Sequence, residues 1–407
     1  MRTRPPVTDW ASDFDHLDPA WVDNPYPIWD ELRQKCPIAH TDRFMGVYFL
    51  SRYEDVRAVA DDTEHFSSRR GVAIREGRPQ VRPAPPITSD PPAHSAQKRL
   101  LLPAFTPDAI RRYEPQIRAI CRELLERIAG RRGADGAIDY AQEIPARVIA
   151  TMLGVPPQSG DRFRRWIHEF FELGITDQNV IERAVAETRA FFAAEIAERR
   201  KMPREDLISF LAEARIDGRK LDDEHITGTL RLLLVAGIDT TWSLIGSCLW
   251  HLANHPDDRK RLVAEPALIP TAVEEFLRAY APATVAREIV KETQIDGCHF
   301  KEGEMVMLSF PAANRDPAMF PDAGRVVIDR SPNRHAAFGL GIHRCLGSHL
   351  ARMEITVALQ EWLAKIPDFS LVPDGVVEWS AGQLRGPRTL PLVFGAHREP
   401  DHFFGGK

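Results

Sequence analysis

The sequence predicts a mainly α-helical domain with small peripheral β-sheets, and three observations carry that prediction. From Pro92 to about Lys260 the pattern is dominated by helical periodicity between capping and breaking residues. Strand-like runs are short and lie toward the two ends. No linker convincingly splits the 407 residues, so residues 1–407 read as one domain.

Taken in order, residues 25 to 66 alternate short helical and strand-like stretches, such as Val47-Tyr48-Phe49-Leu50 followed by Tyr53 to Ala60. Ser67 to Pro92 is rich in arginine and proline and has no period, which reads as a long loop of the kind that often carries function. Pro107-Asp108 opens a helix running to about Ile128, where Gly130 and Gly133 stop it. Asp222 and Asp223 cap a long apolar helix that ends near Asn254-His255-Pro256. A further helix starts at Pro270 or Thr271 and is closed by Pro282. Short strands follow at Gln294 to Ile295, Met305 to Leu308, Leu371 to Val372 and Leu390 to Phe394. The tail after about residue 396 is polar and Gly-containing, and is expected to be loosely held.

Composition narrows the function. A net charge of −5 gives no electrostatic reason to expect nucleic-acid binding. Five scattered cysteines, Cys36, Cys121, Cys248, Cys298 and Cys345, form no C-x-x-C pair, which argues against a disulfide framework or a four-cysteine zinc site and suits a reducing cytosol. Met1 to Trp10 has no apolar run, so no signal peptide or anchor is expected. Leu232 to Trp250 is about long enough to cross a bilayer, but it holds Asp239, Thr240, Thr241, Ser243 and Ser247 and has charged flanks. It reads as a buried central helix, and the protein as cytoplasmic.

The strongest signal is Phe338-Gly339-Leu340-Gly341-Ile342-His343-Arg344-Cys345-Leu346-Gly347. Gly339 and Gly341 allow a tight turn, and a helix follows through Leu350, Met353 and Val357. Cys345 then stands at a helix N-terminus, where amide N–H groups and the macrodipole favour a thiolate. This order, F-G-x-G-x-H-x-C-x-G, resembles the haem-binding signature of the cytochromes P-450. The likeness runs from Asn24-Pro25-Tyr26-Pro27 to Leu390-Pro391-Leu392.

The resemblance implies the P-450 fold, haem b as cofactor and Cys345 as the iron ligand, with thiolate ligation favouring O–O cleavage. It implies Phe338, Gly339 and Gly347 around the haem, and His94, Lys98, Arg287 and His343 as partners of its propionates. Lys98 stands where the family usually has arginine. It implies that Ala236-Gly237-Ile238-Asp239-Thr240-Thr241 is the oxygen-activation stretch, with Thr240 holding the oxygen and Asp239 relaying protons. Glu275 and Arg278, an E-x-x-R pair, are expected to support the cysteine loop together with Arg325, after which Val326 replaces the family's usual aromatic. Family position suggests a pocket of Val72, Ala73, Ile74, Leu233, Ala236, Ala283, Val285, Gln383 and Leu384.

The implied activity is insertion of one oxygen atom from O₂ into a small, largely apolar organic substrate, by hydroxylation or O-dealkylation. No flavin or iron–sulfur motif is visible, so a ferredoxin and an NAD(P)H-dependent ferredoxin reductase are the expected electron supply. Arg111, Arg112, Arg118, Arg122, Arg344 and Arg352 are candidates for attracting an acidic partner. Two rivals are a peroxide-driven peroxygenase and a haem-binding sensor or carrier, and the intact Asp239-Thr240 pair argues against both. Within the loop Ser67 to Pro92, one of Arg69, Arg70, Arg75, Arg78 and Arg82 is a weaker candidate to anchor a substrate carboxylate.

Overall fold

The longest helix, Asp223–Asn254, organises the molecule. Asp222 caps it, its carboxylate accepting from the His225 N–H at 2.7 Å. The helix is apolar on nearly every side and packs against Glu143–Leu153, Gln178–Lys201 and Ser348–Lys365. A helix with no polar face belongs inside a core. By length and composition it could span a membrane, but 67% of its most apolar stretch is buried within the protein. Its burial is interrupted at one place. Ala236 is exposed and Leu232, Leu233, Val235, Gly237 and Thr240 are half-buried, which marks a hollow beside the middle of the helix.

This computed structural model describes residues 5–74, 82–175 and 177–395. The tail beyond 396 and part of the arginine-rich loop, including Arg75 and Arg78, lie outside the described residues.

A five-stranded sheet forms a second layer, in the order Ile38–Thr41, Val47–Leu50, Met305–Ser309, Thr284–Ile289, Phe66–Ser67. Val47–Leu50 and Met305–Ser309 run parallel, and the other neighbours are antiparallel. Alternation of side chains divides its core in two. Tyr48, Leu50, Val306 and Leu308 face one cluster, and Val47, Phe49, Ala286 and Met307 face the other. A three-stranded sheet joins Phe369–Leu371, Pro391–Phe394 and Gly133–Asp135.

Most expected elements fall where the sequence puts them. The exception is the helix expected from Pro107 to Ile128, which is two helices, Pro107–Arg111 and Glu114–Ile128. Pro115 is the reason. Proline lacks an amide hydrogen and is tolerated only in a first turn, so a new helix begins there.

Candidate active site

The cysteine loop is wound tightly. The Cys345 N–H donates to the Phe338 carbonyl at 2.7 Å, and Gly341–His343 form a single 3₁₀ turn. Gly339 and Gly341 have φ of 75° and 64°. At Gly341 a Cβ would also lie 2.2 Å from the Ala60 carbonyl oxygen, so a larger residue is excluded twice over. Ser348–Lys365 follows as a helix.

Cys345 keeps open surface, yet burial is the main influence on its thiol and pushes its pKa up. Both hold if the sulfur faces a hollow inside the molecule. The Gly347 N–H and the charges of Lys98, Arg344 and Arg352 act the other way and favour the thiolate. A Cβ at Gly347 would meet only the Cys345 sulfur, at 4.0 Å, so that side of the loop is also open.

Three basic side chains converge near this loop. The His94 and His343 rings lie 4.3 Å apart, and Ser68 Oγ is 3.1 Å from His343 Nε2. Arg287 is buried on its strand and, among the described residues, bonds only the Ala286 carbonyl, at 2.8 Å. His94 Nδ1 is buried without a hydrogen-bond partner among the described residues. Burial first, then Arg287, His94 and Lys98, drive the His343 pKa far below its usual value. Burial lowers Arg287 to about 10, with Asp90 acting against it. Asp90 itself is held by Ser67, the Ser68 N–H and Arg69. Lys98 is placed differently from the sequence expectation. Its ammonium donates to the Ile342 and Arg344 carbonyls at 2.5 and 2.9 Å, so two of its three donors brace the cysteine loop.

Behind the loop, Arg278 clasps Glu275 through two bonds of 2.8 Å, both residues being wholly buried. The expected third member, Arg325, is corrected by the structure. Arg325 gives only its backbone carbonyl, which accepts from Arg278 at 2.7 Å. The arginine on Glu275 is Arg330, whose Nε lies 3.1 and 3.0 Å from the two carboxylate oxygens. The Val327 N–H and Asn333 complete the set.

In the central helix, Asp239 is wholly buried and fully engaged. Arg388 donates to one oxygen at 3.0 Å and Ser243 to the other at 2.9 Å. Arg388 also lies 2.7 Å from Glu172, at the end of the helix Ser159–Phe171. Thr240 donates its hydroxyl to the Ala236 carbonyl at 2.7 Å. Sequence reasoning missed Arg388 and Glu172, and no spacing in the sequence points to them.

The cytochrome P450 family model matches residues 168–374. The mycinamicin IV hydroxylase/epoxidase of Micromonospora griseorubida is 36% identical over 90% of this chain and 94% of its own length. The chain belongs to the cytochrome P450 family. Among solved structures, CYP109Q5 from Chondromyces apiculatus superposes with a TM-score of 0.84 at 35% identity, covering 95% of this chain and 99% of that one. A myxobacterial P450, CYP267B1, solved with myristic acid, gives 0.84 at 32% identity, covering 94% and 99%.

This P450 is therefore a haem b oxidoreductase of the monooxygenase class. Its own residues fit that cofactor. Cys345 offers one soft donor to an internal hollow. His94, His343 and Arg287 crowd together without a bonded carboxylate among the described residues, an arrangement that two propionates would neutralise.

The residues expected to line the pocket are partly brought together. Val72 accepts from the Ala286 N–H at 2.9 Å, and Ala283 bridges to Leu384. Leu233 and Ala236 border the hollow from the central helix. Gln383 is used otherwise than expected. Its amide nitrogen bonds the Val72 and Thr284 carbonyls, and its oxygen accepts from the Ile74 N–H. With its amide engaged on three backbone groups, it ties residues 72–74 to Thr284 and is not a free polar group for a substrate.

Proposed function

We propose that this P450 hydroxylates or O-dealkylates a largely apolar organic molecule, in the cytosol, with electrons from a ferredoxin and its NAD(P)H-dependent reductase. The observation that carries the reading is Cys345 on its glycine-wound loop, with open surface although burial dominates the surroundings of its thiol. The bound haem supplies activation of O₂, and the rest falls to the chain.

We assign His94, Arg287 and His343 to the propionates and Phe338, Gly339 and Gly347 to the cofactor's proximal surroundings. Glu275, Arg278 and Arg330 hold the loop that presents Cys345. Val72, Ala73, Ile74, Leu233, Ala236, Ala283, Val285 and Leu384 supply apolar walls. Thr240 spends its proton on Ala236, so toward the hollow it offers an acceptor, suited to holding a protonated oxygen species. Asp239 supplies protons, which requires it to leave Arg388.

One relative is a mycinamicin IV hydroxylase/epoxidase and another P450 was solved with myristic acid, which supports an organic substrate here without choosing between such molecules. On the cysteine side, Arg112 and Arg344 have no acidic partner among the described residues, whereas Arg118 and Arg122 share Glu361 and Arg352 bonds Glu274. The first pair is the better candidate to meet an acidic ferredoxin.

The test is ligation. The reduced carbonyl complex should show the absorption band that names the family, and Cys345→Ala should lose it. A variant that retains the band refutes the assignment.

A further inference from the structure

We propose that Arg231, with Arg82 and Arg189 nearby, receives a carboxylate at one end of an otherwise apolar substrate. The proposal rests on the monooxygenase reading of the hollow and gives its substrate a chemical class.

Arg231 lies five positions before Ala236 in the central helix, about 7–8 Å along its axis. Leu232 and Leu233, at the edge of the hollow, follow it directly. Its position is fixed from one side. Nη2 donates to the Pro83 carbonyl at 2.8 Å and more weakly to that of Arg82 at 3.4 Å. One turn earlier, a Cβ at Gly228 would stand 2.6 Å from the same Pro83 oxygen, so this segment is pressed onto the helix.

The remaining face of the guanidinium is free. Among the described residues, Nε and Nη1 have no bonded partner, and neither is sealed from solvent-sized space. The charges that reach Arg231 are those of Arg82 and Arg189, both positive. Burial, then these two arginines, lower its pKa.

Most buried arginines in this chain are matched by acids. Arg278 has Glu275, Arg199 has Asp206 and Glu195, Arg388 has Asp239, and Arg259 has Asp368. In the arginine-rich loop, Arg69 is paired with Asp90 and Arg70 with Glu288. Arg231 and Arg82 have no acid among the described residues. Arg231 is half-buried and feels only positive neighbours, a half-buried Arg82 and an exposed Arg189, which is unfavourable, and an entering carboxylate supplies the missing counter-charge through the planar fork. The apolar walls then hold the body of the molecule.

The test uses the holoenzyme, titrated with two acid–amide pairs, decanoate with decanamide and 4-butylbenzoate with 4-butylbenzamide. Binding is read by calorimetry and by the haem spin-state change. In at least one pair the acid should bind about tenfold or more tighter than its amide. Arg231→Met should abolish that preference while leaving amide affinity nearly unchanged. Arg231→Lys, which keeps the charge and loses the fork, should fall between them. Equal affinity for acid and amide in both pairs overturns the proposal, as does failure of both acids to bind. So does an Arg231→Met variant that weakens acid and amide alike, the result expected of a strut that only holds Pro83. Loss of the carbonyl band in the wild type would instead mark failure of the underlying reading.

Discussion

At the scale of single residues, Asp239 and Thr240 show how far a sequence motif reaches. An acid beside an alcohol in an apolar helix was legible, and so was its chemistry. The partners were not, because Arg388 joins Asp239 across 149 positions of sequence. The same holds for Lys98 and Gln383, whose side chains bond backbone carbonyls that no motif announces. The structure gives the two helix residues separable tasks. Thr240→Ala removes an acceptor from the hollow and leaves Asp239 and Arg388 in place. We expect reduced nicotinamide to be consumed at a similar rate while product per electron pair falls and hydrogen peroxide rises by the difference. Full coupling at saturating substrate would end this role for Thr240. Asp239→Asn removes the acid itself, so turnover should slow by about 10²-fold with no matching rise in peroxide. Steady-state rates with simultaneous peroxide and product assays distinguish the two patterns.

At the scale of elements, the support behind the cysteine loop was legible as a helix-spaced pair and misread at its third member. Glu275 and Arg278 are three apart on one helix, which the sequence shows directly. The segment from Asn314 to Asn333 is irregular, and no period predicts which of its arginines turns inward. Arg325 points its carbonyl at Arg278, whereas Arg330 reaches Glu275. The difference is measurable. Arg330→Met removes a cation from a carboxylate with no exposed surface, and should cost about 3–5 kcal/mol and lower haem content. Arg325→Ala keeps the carbonyl and should stay within about 0.5 kcal/mol of the parent. Denaturant midpoints and haem-to-protein ratios of the two variants decide it, and equal losses would mean that the network is drawn wrongly.

At the scale of the whole molecule, the helical class, the central helix and the cysteine loop were legible because periodicity and glycine spacing are local. The sheet order was not, since its central pairing joins Val47–Leu50 to Met305–Ser309 from opposite ends of the chain. Burial of a polar group inside the assembled core is equally invisible beforehand, and Glu354 is the example. It lies in the helix after Cys345, among positions that read as apolar packing, and is 1% exposed. Neither carboxylate oxygen has a hydrogen-bond partner among the described residues. Burial alone raises its pKa well above the usual carboxylate range, which favours the protonated form in the folded protein. The unfolded chain releases that proton near its ordinary value of about 4.3. Above that value the folded state binds one proton more than the unfolded state, so stability falls as pH rises. The loss continues up to the raised folded pKa, at no more than about 1.4 kcal/mol per pH unit. Glu354→Gln keeps the shape and cannot ionise. Between pH 5 and pH 8 the wild type should therefore lose stability relative to Glu354→Gln, with the two closest at the acid end. Denaturant unfolding across that range measures the divergence. Parallel profiles would mean that Glu354 is ionised in the folded state, held by a partner that the core does not otherwise reveal.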